Sequence, residues 1–376
     1  MDAYRLSDIE AKSGLGSGDL PEPFMVSLYR ALAPYRGCGH GCAYCDGRAE
    51  KYYVDGEFER DLAVRRNVAD RIRLDVEGGK ATLDYDVLSR FPSALIMVTL
   101  TTTDDGLAAW LEPGASPPSE RLAVVRSARK AGFMSGVMAM PLCPGLCDDD
   151  EHTDALATAA QDAGAQFVCP GHLTLRPGRQ KDFFMCRLAE RRPDMVPHYH
   201  DLYRENRQSG SPLSSYLRSV SARLGARLAA CGMPASIPWS VYSRLLAPHD
   251  ALFVLLCHMD ELYARRGVNT EPLRDARGRY ASWLKEGRRN LRRVLGKERR
   301  RTTGESVMEA PELFPGLPGS AATPGFRNEP FPLSAELARL LKRDLESVLQ
   351  NDRLAALCRS LATGQAEFDY CSMKAV

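Results

Sequence analysis

The chain has 376 residues, 44% of them hydrophobic and 26% charged. That size allows one large domain with a smaller one, or two to three ordinary ones, and the composition is that of a globular protein. A formal net charge of +2 excludes a global bias toward nucleic acid or an anionic membrane. The opening MDAYRLSDIEAK lacks the apolar run of a signal peptide, and the longest apolar stretches, ALIMVTL (94–100) and ALFVLLCHM (251–259), are too short to span a bilayer. A cytoplasmic location without membrane contact is expected. In that compartment the eleven cysteines are expected to hold metal or react rather than form disulfides.

In chain order, residues 1–24 read as a polar lead-in, and FMVSLYRALAP (24–34) can form a strand that runs into a cysteine-rich loop. Over FERDLAVRRNVADRIRLDVE (58–77), Val64, Val68, Ile72 and Val76 fall four apart between charges, which predicts an amphipathic helix. ALIMVTL predicts a buried strand. PSERLAVVRSARKAG (118–132) predicts a helix closed by Gly132, FMSGVMAM (133–140) a strand, and DDDEHTDALATAAQDAG (148–164) a helix with an acidic first turn suited to its dipole. AQFVC (165–169) predicts another strand. Strands alternating with helices imply a parallel sheet or barrel. From about Phe183 the pattern turns helical and basic; 302–333 is rich in Pro and Gly and reads as a linker or wrap, and 333–350 as a docking helix. The domain reading is a lead-in (1–24), a core (25–182), a helical region (183–301), the linker, and a C-terminal helix and tail (334–376).

CGHGCAYC sets Cys38, Cys42 and Cys45 in a C-x3-C-x2-C pattern. Three thiolates on a short loop can hold three irons of a [4Fe–4S] cube and leave the fourth open, as a catalytic site requires. Gly37, Gly39 and Gly41 let the loop turn tightly, and the Tyr44 ring can lie beside a bound base. A zinc site with a remote fourth ligand, or free buried thiols, are the alternatives.

The pattern resembles that of the radical S-adenosylmethionine superfamily. YRGCGHGCAYCDGRAEKYYV with FERDLAVRRN, and then VTLTTTDDGLAAWLEPGASPPSERLAVVRSARKAGFMSGVMAMPLCPGLCDDD (98–150), resemble its spore photoproduct lyase-like branch. The resemblance covers roughly 28–75 and 85–185. It implies an α/β fold: a partial, TIM-like parallel (β/α) barrel followed by a mostly helical C-terminal region. It also implies S-adenosylmethionine on the open iron and reductive cleavage to a radical that abstracts a hydrogen atom. Thr99, Thr101, Glu112 and Arg121 would contact that cofactor, although Glu112-Pro113-Gly114 can equally be a structural turn. A flavodoxin or ferredoxin would be the reductant, and a nucleic acid a possible substrate. A non-catalytic iron–sulfur protein used for binding or electron transfer is the other class.

The sequence departs from the branch in one place. Two further strand–helix units are expected before the later strand, but only DVEGGKATLDYDVLSRFPS (75–93) lies there, shorter than one strand–helix–strand unit of about 30 residues. The branch's cofactor-contacting lysine and hydrogen-returning cysteine have no counterpart in it. An internal deletion, a covering role for the C-terminal half, or an incomplete record of the chain would each account for the gap.

CPGLC places Cys143 and Cys147 at the end of a strand; Cys143 is a candidate hydrogen donor, and with Cys169 and Cys186 the pair could hold an auxiliary cluster. Buried thiols packing as small hydrophobes are the plainer reading. His40 and the HYH run (198–200) read as structural. KEGRRNLRRVLGKERRR (285–301) carries nine basic and two acidic residues, either a phosphate-contacting helix or a solvated face.

Overall fold

Arg5, at the start of the chain, forks onto Asp61 with contacts of 2.5 and 2.7 Å, and so pins two distant strands in register. In the computed structural model, residues 4–10, 15–17, 20–21, 23, 29–31, 35–52, 56–67, 94–246, 248–302 and 344–376 are described. The first strands are β1 (Arg5–Ile9), β2 (Leu15–Ser17), β3 (Tyr29–Ala31), β4 (Tyr35–Arg36) and β5 (Asp61–Arg65). β5 lies between β1, parallel to it, and β4, antiparallel to it, while β2 and β3 pair with each other.

Two expectations change here. The lead-in is partly strand, and residues 61–65 are strand rather than helix. Val64 fits a four-residue repeat, but β5 has a pairing partner on each side, and tertiary pairing outweighs a weak local preference. Val68, Ile72 and Val76 lie outside the described residues.

The centre alternates strands and helices as expected, with one helix more, α1, and with the last strand shifted from 165–169 toward the C-terminus: β6 (Leu95–Thr99), α1 (Asp105–Leu111), α2 (Pro118–Lys130), β7 (Met134–Leu142), α3 (Asp150–Asp162) and β8 (Val168–His172). The strands form a parallel sheet of order β6-β7-β8. Helix starts follow side-chain chemistry. Asp104 accepts from the Leu107 amide at 2.7 Å and Asp149 from the His152 amide at 2.9 Å, each satisfying a donor the helix cannot; Pro118 occupies the first turn of α2, where a missing N–H costs nothing.

The rest is helical: α4 (Arg179–Arg191), α5 (Val196–Leu202), α6 (Ser214–Ala230), α7 (Trp239–Leu245), α8 (Pro248–Arg265), α9 (Glu271–Thr302), α10 (Leu345–Leu349) and α11 (Asp352–Ala362), with a closing pair β9 (Phe368–Asp369) and β10 (Lys374–Ala375). The expected boundary at 182–183 falls inside α4. The linker 302–333 lies outside the described residues apart from Thr302, which ends α9, and so does the docking stretch before 344.

Side-chain alternation sorts the sheet into two faces. Val98, Val137 and Val168 cluster with Val125 of α2, Leu156 of α3, Phe184 of α4 and Leu224 of α6. Leu95, Met97, Met134 and Cys169 cluster instead with Trp239 of α7, Leu252, Leu255 and Leu256 of α8, and Tyr280 of α9. The fold is therefore mixed α/β with a three-stranded parallel sheet, and no closed barrel forms among the described residues. The face that a barrel would turn to its lumen is covered by C-terminal helices. No helix among the described residues is long and apolar enough to cross a membrane.

Candidate functional site

The cysteine loop hangs between β4 and β5. The Cys38 amide donates to the Phe58 carbonyl at 3.1 Å, and each cysteine carbonyl closes the next turn: Gly41 N to Cys38 O at 3.3 Å, Cys45 N to Cys42 O at 3.3 Å, Arg48 N to Cys45 O at 3.2 Å. Gly37 has φ +79°, and a side chain there would stand 2.6 Å from the Asp61 carbonyl. All three cysteines are half-buried free thiols.

The turn after α1 docks on this loop through two backbone bonds, Gly114 N to His40 O and Ala43 N to Leu111 O, both 2.8 Å. A Cβ on Gly114 would sit 2.5 Å from the Gly39 carbonyl, so only glycine permits the approach. Glu112 is thereby carried in beside the cysteines, 3% exposed. Its carboxylate accepts from the Tyr44 hydroxyl, the Thr101 hydroxyl (3.0 Å) and the Arg121 guanidinium. Arg121 also donates to the carbonyls of Thr99 (3.1 Å) and Ser116 (2.7 Å).

Four of the five expected cofactor contacts therefore meet at one carboxylate, and the fifth, Thr99, joins through its backbone oxygen. The Thr99 side chain is exposed, on the sheet face of Leu95 and Met97 that the C-terminal helices cover further along. Tyr44 presents its hydroxyl to Glu112, and its own ionisation is pushed far up by burial and then by the Glu112 charge.

Burial, followed by the charges of Glu112, Cys45 and Cys38, pushes the Cys42 thiol up to about 12. Burial likewise raises Cys45, against lowering contributions from the Gly47 backbone hydrogen bond and then from Arg48. Three sulfur donors close enough to repel one another as thiolates form a soft site that a cationic iron–sulfur centre would neutralise, and in donor chemistry they fit one. Among the described residues, no group of three or more His, Cys, Asp or Glu surrounds a single metal ion. Thiolates that each bind a different iron of a cube stand further apart than ligands of one ion.

Cys143 is fully buried; its amide donates to the Cys147 sulfur at 3.1 Å. The hydrogen bond with Cys147 and burial hold its thiol well above the usual range, with further contributions from Asp148 and Glu112. It is enclosed in the core. Cys169 belongs to the cluster on the opposite sheet face and Cys186 is exposed, so the four candidate auxiliary-cluster cysteines are not gathered. His40, His198 and His200 are exposed.

Two anchors of the loop carry no sequence signal. Arg48, 8% exposed, donates to the Cys42 carbonyl at 3.3 Å, pairs with Glu59, and stacks 4.8 Å from Phe58 and 3.7 Å from Phe183. Gln180 ties the loop after β8 to the site by donating to the carbonyls of Tyr44 (2.9 Å) and Thr174 (2.7 Å). Only tertiary placement distinguishes these residues from other polar residues.

No family model and no solved structure matches the chain. Uncharacterized proteins of Mycobacterium tuberculosis and Mycobacterium bovis are 26% identical over 307 residues, covering 67% of this chain and 89% of the relative. Because 67% of 376 residues falls well short of 307, several tens of aligned positions face gaps in this chain. An uncharacterized protein of the Acidianus two-tailed virus is 38% identical over 64 residues, 17% of this chain and 21% of its own length.

Proposed function

We propose that the chain is a radical S-adenosylmethionine enzyme of the spore photoproduct lyase-like kind, with a [4Fe–4S] cluster on Cys38, Cys42 and Cys45. The observation that carries this reading is the meeting of two segments 68 residues apart in sequence at one site: Glu112 and its turn dock on the cysteine loop through two backbone bonds and through Tyr44. When bound, the cluster supplies the electron that cleaves the sulfonium of S-adenosylmethionine. The protein's share is positioning and exclusion of water. Glu112, with three donors already on its carboxylate, acts as a positioning residue that fixes Tyr44, Thr101 and Arg121 around the loop. Arg48 and Gln180 hold the loop's far side. Cys143, kept protonated by its surroundings, retains the S–H bond a hydrogen donor needs. A flavodoxin or ferredoxin is the proposed reductant and a nucleic acid the favoured substrate class, on the strength of the resemblance and the basic run in α9.

One observation favours a second reading. The sheet face that would line a barrel lumen is filled by α7, α8 and α9, which suits an iron–sulfur protein used for binding or electron transfer. Anaerobic reconstitution tests the metal common to both. Iron and sulfide should bind in the ratio of a [4Fe–4S] cluster and give an electron paramagnetic resonance signal on reduction. Alanine at Cys38, Cys42 or Cys45 should abolish it. Stoichiometric zinc in place of iron would overturn both readings.

A further inference from the structure

Two ion pairs flank the cysteine loop, and they present opposite ends to it. On one side the carboxylate is innermost: Glu112 holds Tyr44, and its partner Arg121 is largely buried with it, so the two charges offset each other. On the other side the guanidinium is innermost. The Arg48 side chain is 7% exposed and that of its partner Glu59 is 36% exposed. Water screens an exposed charge far more than a buried one, so the Glu59 carboxylate offsets Arg48 only in part.

The fold of the loop itself puts Arg48 there. The Cys45 carbonyl accepts from the Arg48 amide at 3.2 Å and closes the short turn Asp46–Arg48 after the third cysteine. The side chain returns across the loop, where its Nε donates to the Cys42 carbonyl at 3.3 Å. The guanidinium lies 4.8 Å from the centre of the Phe58 ring and 3.7 Å from that of Phe183, and such contacts strengthen as water is removed. A Cβ on Gly47 would stand 3.0 Å from the Phe58 ring and 3.3 Å from the Cys45 sulfur. Sulfur, ring and cation thus gather around one turn. Anchoring the loop does not require a charge, because a neutral amide could make the bond to Cys42 without the cost of burying a cation.

One-electron reduction of a cluster on these cysteines adds one negative charge. No bond forms or breaks, no proton moves, and the electron comes from the reductant. Net charge, hydrogen bonds and exposure set the potential of such a cluster. We propose, on the cluster reading of Cys38, Cys42 and Cys45, that Arg48 sets that potential: its partly balanced cation stabilises the reduced form and raises the potential at which the protein accepts its electron.

The test is a redox titration of the reconstituted full chain with dithionite, followed by electron paramagnetic resonance, after iron and sulfide have been measured. Arg48→Gln keeps an N–H for the Cys42 carbonyl and removes the charge. It should lower the midpoint by about 59 mV, a tenfold change in the one-electron equilibrium. Arg48→Lys keeps the charge and should stay nearer the wild-type value. Glu59→Gln removes the screened anion and should raise the midpoint by a smaller amount. Arg60→Gln, which alters a surface pair with Glu57, should leave it unchanged. Should Arg48→Gln bind no iron, the direction of the Glu59→Gln shift decides. No shift in loaded Arg48→Gln, an equal shift in Arg48→Lys, or a midpoint that falls or stays fixed in Glu59→Gln would overturn the proposal. A wild-type chain that takes up no iron and sulfide defeats the cluster reading and this inference with it, and the metal content reveals that before any potential is read.

Discussion

Replacing Glu112 with alanine tests the site's architecture most sharply. The change removes the acceptor for Tyr44 and Thr101 and leaves Arg121, whose side chain is 12% exposed, without its carboxylate. Breaking a buried ion pair from one side costs about 3–5 kcal/mol, because the remaining charge is uncompensated. Arg121 keeps the carbonyls of Thr99 and Ser116, which places the expected loss near the lower end, about 3 kcal/mol. Glu112→Gln keeps the shape and an acceptor for Tyr44 and Thr101, so it should cost less. The Glu112→Ala/Arg121→Ala double variant should lose less than the sum of the two single changes, because the pair is coupled. Urea denaturation of the iron-free protein under anaerobic conditions measures each loss. Thiol labelling gives a local readout: without the Glu112 charge, Cys42 should ionise at lower pH and label faster. A loss within about 0.5 kcal/mol, the range of an ordinary surface change, together with unchanged Cys42 labelling, would refute the network.

Gly114→Ala should displace the turn from the cysteine loop, since its Cβ would lie 2.5 Å from the Gly39 carbonyl; iron retained per chain after reconstitution should fall, while the far-UV circular dichroism spectrum stays the same. His258, fully buried against Tyr370, has its pKa lowered to about 4 by burial. The unfolded chain therefore binds more protons between about pH 6.5 and 4. The stability tied to this group is fully present above that window and lost as pH falls through it, and His258→Phe should flatten that part of the urea-midpoint profile. Neutralising Arg288, Arg292 and Arg299 together should weaken DNA or RNA binding and reduce the salt slope by roughly 0.7–0.9 for each phosphate no longer neutralised. A lowered melting temperature with unchanged nucleic-acid binding would instead assign those arginines to the fold.

The central sheet was legible because ALIMVTL and FMSGVMAM are apolar runs of strand length, and the helix expected between them, α2, begins at Pro118 and is closed by Gly132. The helix pattern over 58–77 misled at 61–65, where pairing to β1 and β4 decided the outcome. The strand expected within 24–34 is present as β3, whereas β1 was missed because it is largely exposed and shows no apolar alternation. At the site, Cys38, Cys42 and Cys45 were visible from spacing, Tyr44 from its place in the same loop, and Thr101, Glu112 and Arg121 from the family resemblance. Gln180 was not, because its bond to the Tyr44 carbonyl spans 136 residues and involves a backbone group common to every residue. The covering of the second sheet face by α7, α8 and α9 was foreseeable only as one of three accounts of the short stretch 75–93.

The central claim is tested most directly by incubating the anaerobically reconstituted, dithionite-reduced protein with S-adenosylmethionine and measuring 5′-deoxyadenosine by liquid chromatography. The account predicts that this product forms, and that it is lost on replacing any one of Cys38, Cys42 or Cys45. A protein carrying a full, reducible [4Fe–4S] cluster that yields no 5′-deoxyadenosine above the cysteine variants would contradict it.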